Sequence, residues 1–193
     1  MQRKTEQVRI IGGKWRSRIL HFPALANLRP TPDRVRETLF NWLAPYIQDA
    51  RCLDAFAGSG ALGFEALSRG AKEVVMVDKS PAVIANLEEN MRILNTTDAL
   101  CINSSFPFKN NELEPFDIVF LDPPYHQGLI AISCHALMEN DYLKDGALIY
   151  IEAEKELDPL PISNNWEILK SKQAGQVGYH LVRSSQNEPT VRK

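Results

Sequence analysis

Apolar residues along this chain follow two rhythms. Short runs rich in β-branched and aromatic types alternate with longer stretches in which apolar positions recur every three or four residues. Cys52–Ala57, Glu73–Asp78, Ala99–Ile102, Phe116–Leu121 and Gly146–Glu152 belong to the first kind and predict buried strands. Val35, Leu39, Trp42, Leu43 and Tyr46 share one helical face, as do Val83, Ile84, Leu87, Met91 and Leu94. A further helix is expected from Gly63 to about Gly70, which is placed to end it, and another over residues 129–139. Thr31 suits the cap of the first helix with Pro32 at its first position, and Ser80 suits the cap of the helix from Pro81.

The flanks of the chain read differently. Val8–Ile11 and Lys14–Leu20 around Gly12-Gly13 predict a β-hairpin, and Trp166–Lys172 with Gln176–Arg183 predict an antiparallel pair across Gly175. Strand–helix alternation between the flanks predicts an α/β doubly wound, mostly parallel sheet. The expected organisation is a basic hairpin extension over residues 1–30, one α/β domain over 31–184 and a polar tail over 185–193.

Length and composition add bounds. A chain of 193 residues, 44% hydrophobic and 24% charged, builds one soluble domain without staples. Its net charge of −2 conceals an asymmetry. Residues 1–40 hold nine Lys/Arg against three Asp/Glu, and the remainder 13 against 21. A basic arm on an acidic body predicts a polyanionic partner met at one face. Arg9, Lys14, Trp15, Arg16 and Arg18 on the hairpin, with Arg29, Arg34 and Arg36 at the start of the first helix, are the candidate contacts.

Cys52, Cys101 and Cys134 lie far apart in apolar contexts and are expected to be buried thiols in a reducing compartment. The four histidines form no ligand pattern, so no metal is expected. With neither an apolar leader nor a membrane-spanning run, the chain is expected to be cytoplasmic. Nothing in it demands an oligomer, so a monomer is expected.

Candidate chemistry lies where strands end. Gly58-Ser59-Gly60-Ala61-Leu62-Gly63 has the form G-x-G-x-x-G between a strand and a helix, where glycines let backbone approach a ligand at a helix N-terminus. Asp78 closes the next strand and is placed to accept hydrogen bonds from ribose hydroxyls. Phe116–Leu121 runs into Asp122-Pro123-Pro124-Tyr125. Two prolines stiffen this exit and carry no N–H, so the loop offers acceptors only, beside a flat ring. Such a loop suits a planar base with an exocyclic NH2. A carboxylate and a carbonyl aimed at its N–H bonds stabilise the positive charge that builds when the nitrogen attacks an electrophilic methyl group. The glycine loop, Asp78, Asn103 and Asp122 all fall on the carboxyl edge of the sheet, where ligands of doubly wound folds bind.

Asp54 with Gly58-Ser59-Gly60, Asp78, and Asp122-Pro123-Pro124-Tyr125 resemble S-adenosylmethionine-dependent methyltransferases that act on exocyclic amines. Arg9–Arg16, Arg29–Leu43 and Phe56–Gly63 resemble the bacterial RsmD type, 16S ribosomal RNA guanine-N2 methyltransferases, and the similarity runs from about Arg9 to Val177. The resemblance implies a seven-stranded class I methyltransferase (Rossmann-like) sheet with an antiparallel C-terminal strand. It implies S-adenosylmethionine as cofactor and one guanine of 16S rRNA, in the assembled or assembling small ribosomal subunit, as target. By the same analogy Asp54, Gly58, Ser59 and Gly60 hold the methionine end of the cofactor, Asp78 its ribose, and Asn103 and Ser104 border its adenine, with Phe56 and Lys79 also in the cofactor site. Asp122, the Pro123 carbonyl and Tyr125 then take the flipped guanine.

Three rival readings stand beside this one. A nicotinamide cofactor would also suit the glycine loop, but the Asp-Pro-Pro-Tyr loop offers nothing for hydride transfer. An adenine-N6 methyltransferase acting on DNA or RNA shares the tetrapeptide, although the chain leaves little room for a DNA target-recognition domain. A non-catalytic RNA-binding assembly factor would use the basic arm alone.

Overall fold

The computed structural model describes residues 5–24, 31–108 and 113–185. Arg29 and the boundary at residue 30, together with the end of the polar tail, lie outside the described residues. Strands β1 (Thr5–Arg9) and β2 (Ile19–Pro23) pair antiparallel as a separate two-stranded sheet. Helix α1 (Asp33–Leu43) follows. Then come β3 (Arg51–Asp54), α2 (Ala61–Ser68), β4 (Glu73–Asp78), α3 (Pro81–Leu94), β5 (Ala99–Asn103) and β6 (Phe116–Leu121). Helix α4 (Leu129–Glu139) leads to β7 (Leu143–Glu154), and β8 (Glu167–Ala174) and β9 (Val177–Arg183) close the chain. The main sheet has seven strands in the order β5-β4-β3-β6-β7-β9-β8. Neighbours from β5 to β7 are parallel, and β9 runs antiparallel to both β7 and β8. This is the mostly parallel sheet and small N-terminal hairpin that the sequence pattern predicts, with the antiparallel C-terminal strand that the family resemblance implies.

Strand alternation builds two cores, because successive side chains point to opposite faces. Cys52, Val74, Met76, Ile118, Phe120, Leu148 and Tyr150 pack on one face with α1, α2 and α3. Leu53, Val75, Val77, Val119, Leu121, Ile149 and Ile151 pack on the other with α4 and the apolar loops around Phe106 and Trp166. Val8, Ile10, Leu20 and Phe22 of the hairpin join the first core. The basic extension is therefore seated on the domain through its apolar face. No helix among the described residues is long and apolar enough to cross a membrane, and they contain no group of acids, histidines and cysteines able to hold a metal ion. Cys52 and Cys134 are buried and Cys101 is half-buried.

Four local expectations are corrected. The hairpin does not turn tightly at Gly12-Gly13: its strands end at Arg9 and Ile19, and residues 10–18 form a longer connection with a 3-10 turn at Gly13–Trp15. Tertiary contacts decide this. The Ile11 and Gly12 N–H groups donate to Glu65 of α2 at 2.7 and 2.8 Å, and Gly13, at φ +76, lies so close to the end of α2 that a Cβ would sit 1.8 Å from the Ser68 carbonyl oxygen. Helix α1 begins after Pro32 with no side-chain cap, because the Thr31 hydroxyl donates elsewhere, to Asp122. The same helix stops at Leu43, which leaves Tyr46 exposed. Finally β3 ends at Asp54 rather than Ala57: the Ala55 and Ala57 N–H groups donate to the Phe120 and Val77 carbonyls as the chain bends between its two neighbours.

Candidate active site

Strands β4, β3 and β6 are adjacent, and their carboxyl ends carry Asp78, Asp54 and Asp122 side by side on one edge. Two of these acids organise the loops around them. Asp54 is buried, and its Oδ2 accepts the Gly63 N–H at 3.0 Å, tying the strand end to the first turn of α2. Asp78 Oδ2 accepts the Gly58 N–H at 3.1 Å and Oδ1 the Ser80 N–H at 2.8 Å. One carboxylate thus fixes both the glycine loop and the start of α3, whose cap is the Ser80 hydroxyl. Gly60 takes φ +77, and a Cβ there would sit 2.6 Å from Leu87 of α3, so only glycine lets the loop lie this flat. Asn103 Nδ2 and the Ser104 N–H both donate to the Asp78 carbonyl, at 3.0 and 3.1 Å, which brings the end of β5 to the same place.

The remaining cofactor candidates sit nearby with differing exposure. Ser59 is buried, and its hydroxyl accepts the Ala61 N–H at 3.3 Å, closing the start of α2. Phe56 is half-buried, its ring edge-on to Phe106 at 5.9 Å, and Lys79 is exposed.

The Asp-Pro-Pro-Tyr loop leaves β6 beside β7. Asp122 accepts the hydroxyl of buried Thr31 at 3.1 Å. Tyr125 is 40% exposed, and its hydroxyl donates to Glu152 Oε1 at 2.9 Å. Buried Tyr150 donates to the other oxygen of Glu152 at 2.8 Å. His126, at φ +60, donates its N–H to the Glu154 carboxylate and pins the far side of the loop. Loop and strand end together line a cavity of about 420 Å³ whose walls include Pro123, Pro124, Tyr125, Glu152, Leu157 and Pro161.

Electrostatics mark this edge. Burial raises the Asp54 carboxyl to about 7 against the pull of the Gly63 N–H, and the charge of Asp78 adds to the rise. Burial also raises Asp122 well above the ordinary carboxylate range, with the Glu152 carboxylate adding to it and the Thr31 hydroxyl opposing it. Glu152 is raised by burial and held back by its two tyrosines. Among the described residues no Lys or Arg pairs with Asp54, Asp78, Asp122 or Glu152. An acidic edge without cations of its own suits a ligand that brings positive charge or N–H donors.

The basic candidates separate into two groups. Arg9, Lys14, Arg16, Arg18 and Arg34 are exposed. Lys14 lies 4.4 Å above the Trp15 ring and 3.7 Å from Asp98, while Trp15 itself is half-buried, with its N–H held by Ser68 Oγ at 2.9 Å. Arg36 is the correction. It is 1% exposed and donates to the carbonyls of Thr31 and Arg9, at 3.2 and 2.9 Å, and to Asp33 at 2.5 Å. Its guanidinium also faces Glu65 at 3.6 Å. It cannot reach a phosphate; it joins the hairpin to Thr31 and so to Asp122. Reasoning from sequence missed Thr31, Glu65, Tyr150 and Glu152. A signal existed for two of them. Glu65 is the one charge in α2 and Glu152 ends the otherwise apolar run Gly146–Glu152, positions that a charge occupies only with partners.

Comparison with known proteins agrees with this geometry. A family model described as Conserved hypothetical protein 95 matches residues 8–183. Ribosomal RNA small subunit methyltransferase D of Escherichia coli K12 is 48% identical over 184 residues, covering 94% of this chain and 93% of the relative. That of Haemophilus influenzae is 49% identical over 183 residues, covering 92% and 94%. The chain belongs to this methyltransferase D family. The solved structure of E. coli yhhF superposes with a TM-score of 0.88 at 45% identity, covering 94% of this chain and all of that one. A Thermus thermophilus 16S rRNA N2 G1207 methyltransferase, solved with AdoMet and guanosine, superposes at a TM-score of 0.68. At 20% identity, over 95% of this chain and 50% of that one, it shows the shared fold alone.

Proposed function

We propose that the protein transfers a methyl group from S-adenosylmethionine to the exocyclic N2 of one guanine in 16S rRNA, within the assembled or assembling small ribosomal subunit. The observation that carries this reading is the convergence on one sheet edge of the Asp78-held glycine loop and the acceptor-only Asp122-Pro123-Pro124-Tyr125 loop. The donor set fits the cofactor. Its sulfonium and ammonium are cationic, and the edge presents Asp54, Asp78 and Asp122, with which no Lys or Arg among the described residues pairs. Asp54 with the Gly58-Ser59-Gly60 backbone holds the methionine end, Asp78 the ribose hydroxyls, and Asn103 and Ser104 the border of the adenine. When bound, S-adenosylmethionine supplies an electrophilic methyl group. Asp122 and the Pro123 carbonyl accept the two N2–H bonds and orient the amine. The Tyr125 ring, tethered by Glu152, gives the extruded base a stacking surface. The exposed hairpin cations and Arg34 meet RNA phosphates.

The decisive assay incubates the protein with labelled S-adenosylmethionine and small subunits lacking the modification, beside free 16S rRNA and duplex DNA. N2-methylguanosine in subunit rRNA is the expected product. N6-methyladenine in any substrate would overturn the reading of the base, and no transfer at all would overturn the reading of the activity.

A pH dependence follows from Asp54. Its folded value, about 7, lies above that of an unfolded carboxyl. It therefore stabilises the unliganded fold most at low pH, and that contribution is lost as pH rises through 7. The cationic cofactor does the reverse, since it favours the ionised form. Cofactor Kd measured between about pH 6 and about pH 8 should tighten with pH, by at most about one decade per unit for one coupled proton. Asp54→Asn should flatten the profile. An identical profile in the variant would place the cation elsewhere.

A further inference from the structure

Glu152 is the buried acid that the chemistry above uses only as a tether for Tyr125. Register places it beside the reacting centre: Leu121 of β6 pairs with Ile151 of β7, so Asp122 and Glu152 are the next residues on two adjacent parallel strands. It is 3% exposed and yet lines the cavity shared with Pro123, Pro124 and Tyr125. Tyr125 and Tyr150 donate one hydroxyl to each of its oxygens, which sets the plane of the carboxylate. An ionised carboxylate has about four lone-pair sites, so acceptor capacity remains after both tyrosine bonds. Two neighbouring carboxylates repel each other, and N–H donors brought by a ligand relieve that repulsion.

We infer that Glu152 is the specificity-determining residue that accepts the N1–H of the target guanine while Asp122 and the Pro123 carbonyl hold its N2 amine. This rests on the methyl-transfer reading above. The chemistry singles out guanine. Its Watson–Crick edge presents three N–H bonds in a row, one on N1 and two on N2. Adenine and cytosine place a ring-nitrogen lone pair beside their amine, which a carboxylate at Glu152 repels. Three acceptors side by side thus admit guanine and reject the other amino bases by an unpaired, repulsive contact.

The test uses small subunits rebuilt with 16S rRNA carrying 2-aminopurine in place of the target guanine. This base keeps the C2 amine but turns N1 into an acceptor. The wild-type protein should lose at least about a hundredfold in kcat/KM on it. Glu152→Gln can offer an N–H to that acceptor, so it should lose activity on guanine and gain it on 2-aminopurine. The guanine preference should then shrink by about tenfold or more. Unchanged cofactor binding shows that the variant is folded. An unaltered preference in a folded Glu152→Gln protein would overturn the proposal. So would a wild-type protein that uses both bases equally, a comparison that decides the matter even if Glu152→Gln does not fold. Failure of the wild type to methylate ordinary subunits would instead overturn the reading on which this inference rests.

Discussion

Asp122→Ala is expected to lower kcat by about 10²–10³-fold, or roughly 3–4 kcal/mol of transition-state stabilisation, with cofactor affinity nearly unchanged. The exocyclic nitrogen acquires positive charge as it reacts, and Asp122 is the ionisable acceptor on its loop. Removing it leaves the Pro123 carbonyl to orient the amine alone. Stability should move the other way or stay level. The folded value of Asp122 is raised, by burial first and the Glu152 carboxylate second. In its ionised form it therefore costs stability, a cost that appears as pH rises through the raised value. Alanine removes that cost at any pH above the raised value, along with one hydrogen bond from Thr31. Wild-type activity should correspondingly fall as pH drops through the same value, because the protonated acid no longer attracts the developing charge. Single-turnover rates, cofactor titration and thermal melts on the same preparations check this. A variant that loses kcat only in proportion to a lost fold would make Asp122 a structural residue.

The second large effect lies away from the chemistry. Glu65→Ala should destabilise the fold by about 3–5 kcal/mol. Glu65 is fully buried in α2 and accepts four donors: the Ile11 and Gly12 N–H groups, Arg69 at 2.7 Å and, more loosely, Arg36. Its loss leaves the half-buried Arg69 guanidinium without its carboxylate, Arg36 with Asp33 alone, and two backbone N–H groups without acceptors, each costly in apolar surroundings. Hydrogen exchange should show the hairpin from Val8 to Phe22 losing protection before the central strands do. The double change Glu65→Leu with Arg36→Met, which removes both charges, should recover part of the loss. A destabilisation under about 1 kcal/mol would mean that apolar packing alone docks the hairpin.

These two residues differ in how visible they are before folding. Asp122 announces itself, because an acid followed by two prolines and an aromatic after a six-residue buried strand has few purely structural uses. The glycine loop and Asp78 are legible for the same reason: the role proposed for them depends on residue type at a strand end, and strand ends follow from apolar periodicity. The sheet was legible too, since each strand of the parallel core is a local apolar run and each helix a local stripe. Glu65 and Arg36 carry the opposite lesson. Arg36 shares a helical face with Val35, Leu39 and Phe40, and its sequence neighbourhood suggested a phosphate contact among other arginines. Only the docking of the hairpin on α2 encloses it and turns a surface cation into an internal clamp.

What the sequence by itself determined is therefore the α/β order and the residue types at the ends of β3, β4 and β6, read from local patterns, while seven strands in one sheet followed from the resemblance to class I methyltransferases. Tertiary structure alone decided which polar groups meet across long separations. Thr31 reaches Asp122 instead of capping its helix, the hairpin opens around Glu65 instead of turning at Gly12-Gly13, and Glu152 stands beside Asp122 with a tyrosine on each oxygen. The physical reason is the same in each case. A buried charge or hydroxyl must find its partner wherever the packed elements bring one, and that partner is set by the meeting of surfaces rather than by neighbours in the chain.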